Sequence, residues 1–337
     1  MNAPSGSRLR ATVALAHLAA VVLLMALFRL AGDRWPPLAV FFYAPRVLWA
    51  APLFVLAPLI AMRGPRRLLW ACGASAAVIF GPLMGLHVSW PRPAPHSVRV
   101  LTYNVWLGVR DPKAIGEEIA AADPDIVLFQ AAGHPADVVL QRPPFMTYLH
   151  FDQFVLASRF PARLTGQGTF VSWALGRPWA RFAVDTPIGT LDVISVHPHS
   201  PRALLSPRAL LHGGVRSLFH DDPNGPLPFL ERQMAEIGEA ARGGDPLLGD
   251  PLLIVAGDFN APEGGSLLPR FFGPLQDAFA EGGLGYGYTF PVTGRLPLPW
   301  MRLDRVLLGS GLRTVRARLA GVRGSDHAAL LVELARR

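Results

Sequence analysis

Three apolar runs stand ahead of Pro91 in this chain of 337 residues, and they constrain its fold more than any other feature. They cover Ala11 to Phe28, a second stretch that begins near Tyr43 and ends at Met62, and Leu68 to Val88. A helix rising about 1.5 Å per residue needs about 20 residues to cross roughly 30 Å of hydrocarbon, so each run is near spanning length. The expectation is about three transmembrane helices within residues 1–95. As core helices of a soluble domain each would show one polar face, whereas their polar residues sit at the ends. A cleaved signal peptide would also place Arg8 and Arg10 before an apolar stretch, but two more runs follow and no clean small-residue cleavage site does.

The charge belongs to this segment. Residues 1–95 hold nine arginines, no lysine and one acid, Asp33, which accounts for the whole formal charge of +8. Residues 96–337 are therefore neutral, and a neutral domain argues against bulk grip on DNA, which relies on basic residues displacing phosphate counterions. Arg46 would be costly at a helix centre and much less so at an interface, so the second helix is expected to start near Tyr43. Basic loops stay in the cytoplasm. Arg8 and Arg10 before the first helix, with Arg63, Arg66 and Arg67 between the second and third, put everything after Trp90 on the extracytoplasmic side of the cytoplasmic membrane. Pro91, Pro93 and Pro95 form a stiff spacer. The only cysteine, Cys72, lies inside the third run, and the only lysine is Lys113. So little lysine in an Ala/Arg/Pro/Gly-rich chain points to a GC-rich bacterial genome.

From Ser97 onward short buried strands replace long apolar runs. Strands are expected at Val98–Val105, Ile126–Phe129, Phe154–Ala157, Arg181–Val184, Thr190–Val196, Leu252–Ala256, Leu303–Leu308, Arg313–Leu319 and Ala328–Leu334. A helix begins after Asp111 and Pro112, a good N-cap and first-turn pair, and a second covers Leu227 to Arg242. Many strands with few helices indicate a layered α/β sandwich of mixed sheets. The stretch His199 to Pro226 is long for a connection and mixes arginines with leucines. It reads equally as a lid, a membrane-contacting loop or a plain surface insertion.

The polar groups able to do chemistry fall at strand ends, where a rigid scaffold presents reactive groups. In order they are Leu101 to Trp106 (LTYNVW), Asp125 to Gln130 (DIVLFQ), Ala157 to Pro161 (ASRFP), Ser195 to Pro201 (SVHPHSP), Arg232-Gln233, Ala256 to Asn260 (AGDFN), Leu303 to Val306 (LDRV) and Gly324 to His327 (GSDH). This series closely resembles the endonuclease/exonuclease/phosphatase superfamily, which includes DNase I-like nucleases, inositol phosphatases and neutral sphingomyelinases. The resemblance spans nearly all of residues 97–334, and GDFN and SDH are its most specific pieces. It implies a four-layer α/β sandwich, two mixed β-sheets flanked by helices, over a domain of residues 96–337.

It also implies Mg²⁺, or Mn²⁺, as cofactor. Phosphoester hydrolysis needs a hard cation and an activated water, and Mg²⁺ takes oxygen ligands while keeping several waters. By resemblance Asn104 and Asp326 are metal-site oxygens and Asp258 orients or deprotonates the attacking water. Asn260 hydrogen-bonds the phosphoryl group and His197 contacts phosphate or the leaving oxygen. Asp304 pairs with His327, fixing its tautomer and stabilising its charged form.

One position departs from the pattern. The family strand that ends here in Gln130 normally continues with a metal-ligating Glu, and this chain has Ala131. Changes even outside the ligand shell cost about 10–100-fold in metal affinity or activity. His134, Asp137 and Asp152 are the nearby groups able to fill the gap. The leading expectation is a membrane-anchored phosphoesterase cleaving a phosphodiester, phosphomonoester or pyrophosphate, with the lipid bilayer as partner and a lipid-linked phosphate as substrate. Membrane-bound members tied to glycopeptide resistance and cell-wall lipid carriers have a similar layout, and Leu296, Leu298, Trp300 and Met301 would suit a site facing lipid. Extracellular nucleic acid is disfavoured by charge. The alternative is a pseudoenzyme that keeps the fold for binding. A transporter would need more helices and polar pairs inside the membrane.

Overall fold

A computed structural model describes residues 4–133, 138–141, 143–172, 176–201, 222–223, 225–243, 250–292 and 298–337. His134, Asp137, Leu296 and most of the loop between His199 and Pro226 lie outside the described residues. The chain divides into two compact units: Met1–Leu86 with Gly264–Ser266, and His87–Glu263 with Leu267–Arg337.

In the first unit the helices are α1 (Pro4–Ala31), α2 (Pro36–Phe42), α3 (Leu53–Arg63) and α4 (Leu69–Val78). By length and composition two helical stretches, Arg8–Ala31 and Arg46–Arg63, are able to cross a membrane. The third expected spanning helix is not formed at that standard. After α4 the chain passes into a π-turn, Ile79–Leu83, in which Gly81 leaves helical geometry at φ −89°, ψ −107°. Pro82 is the cause: it lacks an N–H and its ring disfavours helical geometry in the residue before it. Arg46 opens the second of these stretches in a short 3-10 turn, Arg46–Ala50. It is buried, donating from Nη1 to the Leu83 carbonyl at 2.7 Å and lying over the Phe28 and Phe42 rings. Asp33 is buried as well, accepting from Ser266 N at 3.0 Å and Ser266 Oγ at 2.8 Å.

The second unit is built on two six-stranded sheets. The first contains β2 (Val98–Asn104), β3 (Ile126–Gln130), β4 (Thr147–Phe151), β5 (Phe154–Ser158), β13 (Leu312–Gly321) and β14 (Ala329–Arg336), in the order β13-β14-β2-β3-β5-β4. The second contains β6 (Ala162–Gln167), β7 (Trp179–Thr186), β8 (Gly189–Val196), β9 (Leu253–Asp258), β10 (Gln276–Asp277) and β12 (Asp304–Leu308), ordered β10-β12-β9-β8-β7-β6. Each sheet is mixed: β2 runs parallel to β3, and β8 to β9, while the other pairs are antiparallel. A two-stranded ladder joins β1 (His87–Val88) to β11 (Leu284–Gly285).

Alternation explains the layers. Val98, Val100, Ile126, Leu128 and Phe154 face Phe182, Val193, Ile254, Ala256 and Val306 in one core between the sheets. The intervening Leu101, Tyr103, Val127 and Phe129 point outward and pack under Ile115 and Ile119 of α5 (Pro112–Ala122). On the other sheet Ile194, Val196, Leu253 and Val255 take Leu230, Met234 and Ile237 of α6 (Pro226–Arg242). Central strands buried on both faces read as unbroken apolar runs, which is why they were visible in the sequence. The result is helix, sheet, sheet, helix. Asp111 caps α5 as expected, its side chain accepting from Ala114 N at 2.9 Å. The Pro91–Pro95 stretch is not a free spacer: Ser89 N donates to Gly283 O and Arg92 N to Val315 O.

Candidate active site

The ends of β2, β3, β8 and β9 and the starts of β12 and β14 fall at one edge of the sandwich, a consequence of their parallel and antiparallel registers. Asp304 is the direct cross-strand partner of Asp258 in the β9–β12 ladder. Gly257 makes this possible. Its φ of +146° suits only glycine, and a Cβ there would lie 2.1 Å from the Val196 carbonyl oxygen.

His327 joins the two carboxylates. Its Nδ1 lies 2.7 Å from Asp304 Oδ2 and its Nε2 3.5 Å from Asp258 Oδ2, all three residues being buried. Asn104 reaches across from the other sheet, donating from Nδ2 to Asp258 Oδ2 at 2.9 Å, while its Oδ1 accepts from Trp106 N at 3.1 Å. His197 stands beside them with Nε2 3.7 Å from Asp258 Oδ2. Asn260 adopts left-handed geometry, φ +49°, which asparagine tolerates better than most residues. Its backbone N–H donates to Asp258 Oδ1 at 2.8 Å and its Nδ2 to Pro198 O at 2.9 Å, so this amide holds the His197 loop. Asp326 is half-buried, and its backbone carbonyl accepts from Val292 N at 2.7 Å. Ser325 Oγ, which donates to Asn104 O at 2.7 Å, lies 3.4 Å from its Oδ1.

Burial alone would lower the His327 pKa, but the charges of Asp304 and Asp258 outweigh it and raise it to about 9. Burial would raise Asp258, and here the facing His327 and His197, with donors from Asn260 and Asn104, pull it below the ordinary carboxylate range. At neutral pH the pair is an imidazolium beside a carboxylate.

Two residues that the sequence did not single out position this group. Gln153 accepts from His197 Nδ1 at 2.6 Å, and because its own Nε2 donates to Arg177 O at 2.7 Å, its orientation is fixed and so is the histidine tautomer. Glu118, buried on α5, accepts from Tyr103 Oη and from the backbone N–H groups of Val322, Arg323 and Gly324. It anchors the loop that carries Ser325 to His327. Neither has a motif to betray it, since both act through hydrogen bonds to residues distant in sequence. Asp152, one residue before Gln153, turns its carboxylate toward Gly176 and Arg177 and is not part of the group.

Ala131 sits beside this edge at φ +46°, and its carbonyl accepts from Leu107 N at 2.6 Å. Trp106, Leu107 and Gly108 are also left-handed, at +44°, +58° and +67°. For Ala131, Trp106 and Leu107 such conformations cost on the order of 1 kcal/mol each, and they concentrate at functional sites. This turn leaves Trp106 and Leu107 about half exposed directly after Asn104.

The donor set fits a divalent cation. Asp258, Asp304 and His327 offer atoms within 4.8 Å of one another, but the charged His327 donates from both nitrogens, so the ligands are oxygens: the Asp258 carboxylate, the Asn104 amide and the half-buried Asp326 carboxylate. Ala131 contributes no oxygen, so the set is one carboxylate short of the family pattern.

Two mixed sheets covered by helices, with a histidine–carboxylate group at the strand ends, define a layered α/β sandwich with its polar site at one edge. The profile of the Endonuclease/Exonuclease/phosphatase family matches residues 101–327, and the chain belongs to that family. Among solved structures it is similar to an endonuclease/exonuclease/phosphatase from Beutenbergia cavernae DSM 12333, with 16% identity over 71% of this chain and 72% of that one, TM-score 0.48. It is also similar to truncated Caenorhabditis elegans TDP2 (15% identity, 71% and 98% covered, TM-score 0.49) and to the human Nocturnin catalytic domain with bound sulfate (19%, 72% and 95%, TM-score 0.48). No curated protein gives a significant match.

Proposed function

We propose that this protein is a membrane-anchored, divalent-metal-dependent phosphoesterase acting on a phosphodiester, phosphomonoester or pyrophosphate carried by a lipid. The reading rests on one observation: His327 bridging Asp304 and Asp258, with Asn104 donating to Asp258 from the opposite sheet. Asn104 and Asp326 would hold Mg²⁺ or Mn²⁺, which when bound polarises a phosphoryl oxygen. Asp258 accepts the proton of the attacking water. His327, charged at neutral pH, donates from Nε2 to the oxygen on which negative charge grows, and Asp304 stabilises that charged form. His197, its Nδ1–H held by Gln153, turns Nε2 to the same space and contacts the ester.

Anchoring is supported by the two apolar stretches of spanning length, and the lipid substrate by exposed Trp106 and Leu107 beside Asn104. The side of the membrane depends on the number of crossings. Two return the chain to the side of its N-terminus; a third through the broken α4 segment brings the catalytic unit to the extracytoplasmic face. Arg63, Arg66 and Arg67 face the cytoplasm after two crossings whether or not a third follows, so the extracytoplasmic placement rests on that crossing alone. Protease added to intact spheroplasts should then cut the catalytic unit, and protection would place it inside.

The activity test uses the purified full chain with Mg²⁺ or Mn²⁺. Phosphate release from polyprenyl pyrophosphate or phospholipid, abolished in His327→Ala, supports the proposal. Cleavage of DNA with no release from lipids would reassign the substrate. Ala131 favours a second reading, a pseudoenzyme. Activity that appears only in Ala131→Glu would establish it.

A further inference from the structure

A cavity of about 410 Å³ opens in the second unit among Trp90, Phe279, Leu284, Arg316, Arg318 and Leu319. None of these residues belongs to the active site. Two of its features are unusual for a neutral domain. Arg316 and Arg318 lie two apart on β13, so both project to the same side of the strand, away from buried Ala317. Neither makes an ion pair among the described residues; Arg318 has only a 3.5 Å contact to the Leu319 carbonyl. Glu333, the cross-strand neighbour of Arg316, accepts instead from Ser97 Oγ. The cavity also keeps two large apolar side chains in solvent, Trp90 at 71% exposure and Leu284 at 73%.

Unpaired guanidinium groups beside an exposed indole and an exposed leucine suit a ligand with an anionic head and an apolar body. The chain itself indicates where that ligand comes from. Trp90 follows Leu86, the last residue of the first unit, by four residues, a reach of roughly 15 Å at full extension. The apolar helical segment itself ends at Leu83, seven residues before Trp90, and tryptophan flanking such a segment is typical of the bilayer interface, where anionic headgroups attract arginine. We infer that the Trp90–Arg316–Arg318 cavity binds the headgroup of an anionic phospholipid and so holds the catalytic unit against the bilayer surface. The inference rests on the membrane-anchored reading above.

The test titrates the full chain, in an uncharged maltoside detergent, with short-chain phosphatidylglycerol and follows hydrogen exchange at residues 87–92 and 312–319. Phosphatidylglycerol should slow exchange in both segments. Arg316→Gln/Arg318→Gln should raise the half-saturating concentration about 25-fold, some five-fold per arginine, and added salt should do the same. Trp90→Ala, off the strand, should weaken protection independently, and all variants should keep the thermal transition and the turnover of a soluble ester. Equal protection by phosphatidylcholine, or an unchanged response in the double variant, overturns the inference. Equal protection by inorganic phosphate would make this a free-anion site and overturns the lipid assignment. Release of the chain from vesicles by alkaline carbonate would instead remove the membrane reading, and with it the bilayer as the source of the lipid.

Discussion

His327 stands between two carboxylates, with Nδ1 2.7 Å from Asp304 Oδ2 and Nε2 3.5 Å from Asp258 Oδ2. The second distance leaves room for a substrate oxygen to take over the Nε2 proton, whereas the first is already a short charge-assisted bond. Removing Asp304 should therefore damage catalysis by releasing the ring and its charge. Asp304→Asn is expected to lower kcat by about 10²-fold or more, and His327→Ala by about 10²–10⁴-fold. The raised His327 pKa also sets a direction: activity should fall as pH rises through about 9. In Asp304→Asn that limb should move to lower pH. A kcat profile with the limb unmoved would separate Asp304 from the proton on His327.

Ala131 offers the site no oxygen where the family pattern has a carboxylate. Ala131→Glu is expected to lower the Mg²⁺ concentration at half-maximal activity by about 10–100-fold, the scale on which metal sites respond to changes around them. Isothermal titration with Mg²⁺ or Mn²⁺ checks it directly. No change in affinity would mean that the cation is held without a ligand at this position.

In the proposed mechanism Gln153 acts on the ester only through His197. Gln153→Ala frees Nδ1 to trade protons, and turnover is expected to fall about 10–100-fold with little effect on KM. Gln153→Glu should keep most of the activity while raising the His197 pKa, visible as a shift of the imidazole resonances with pH. Wild-type kinetics in Gln153→Ala would limit the 2.6 Å contact to a structural role.

What could be read in advance follows from burial. Central strands such as β3 and β9, buried at every position, were legible as apolar runs. The edge strands β4 and β6 were not, because Thr147–Phe151 and Ala162–Gln167 are largely unburied and show no alternation to read. In the site, Asn104, Asp258, Asp304 and His327 were legible because each sits in a short motif at a strand end. Gln153 and Glu118 reach the site by long-range hydrogen bonds that leave no local pattern. The third apolar run misled for a physical reason: hydropathy counts residues and does not register the break that Pro82 forces at Gly81.

Gly257 is a test of the scaffold alone. A methyl group there meets the Val196 carbonyl oxygen at 2.1 Å, backbone against backbone in the β8–β9 ladder, with no flexible side chain to yield. Gly257→Ala is expected to destabilise the catalytic unit by about 4 kcal/mol, in the tail reserved for strained special geometries. Chemical denaturation measures it. A loss under about 1 kcal/mol would show that β9 can shift against β8.

The buried charges beside the site carry the last prediction. Arg302 donates to Glu263 Oε2 and Asp277 Oδ1, each at 2.8 Å, and Arg305 donates to Asp277 Oδ2 at 2.9 Å, with both arginines almost wholly buried. Burial would raise the Glu263 carboxyl, but the Arg302 charge and the His87 hydrogen bond hold it at about 2. Asp277 is likewise held below the usual carboxylate range against burial, by Arg302 and Arg305. Carboxylates depressed in the folded state stabilise it above their unfolded pKa, near 4, and that stabilisation disappears as pH falls toward 2. Unfolding midpoints of the catalytic unit should therefore be flat from pH 7 to about 5 and drop steeply below 4. Arg302→Ala leaves Glu263 with His87 and Asp277 with Arg305, and is expected to cost about 3 kcal/mol at pH 7. The variant should lose less on further acidification than the parent, because protonation then relieves the two carboxylates. A parent stability independent of pH between 5 and 2 would show that these buried pairs add nothing to the folded state.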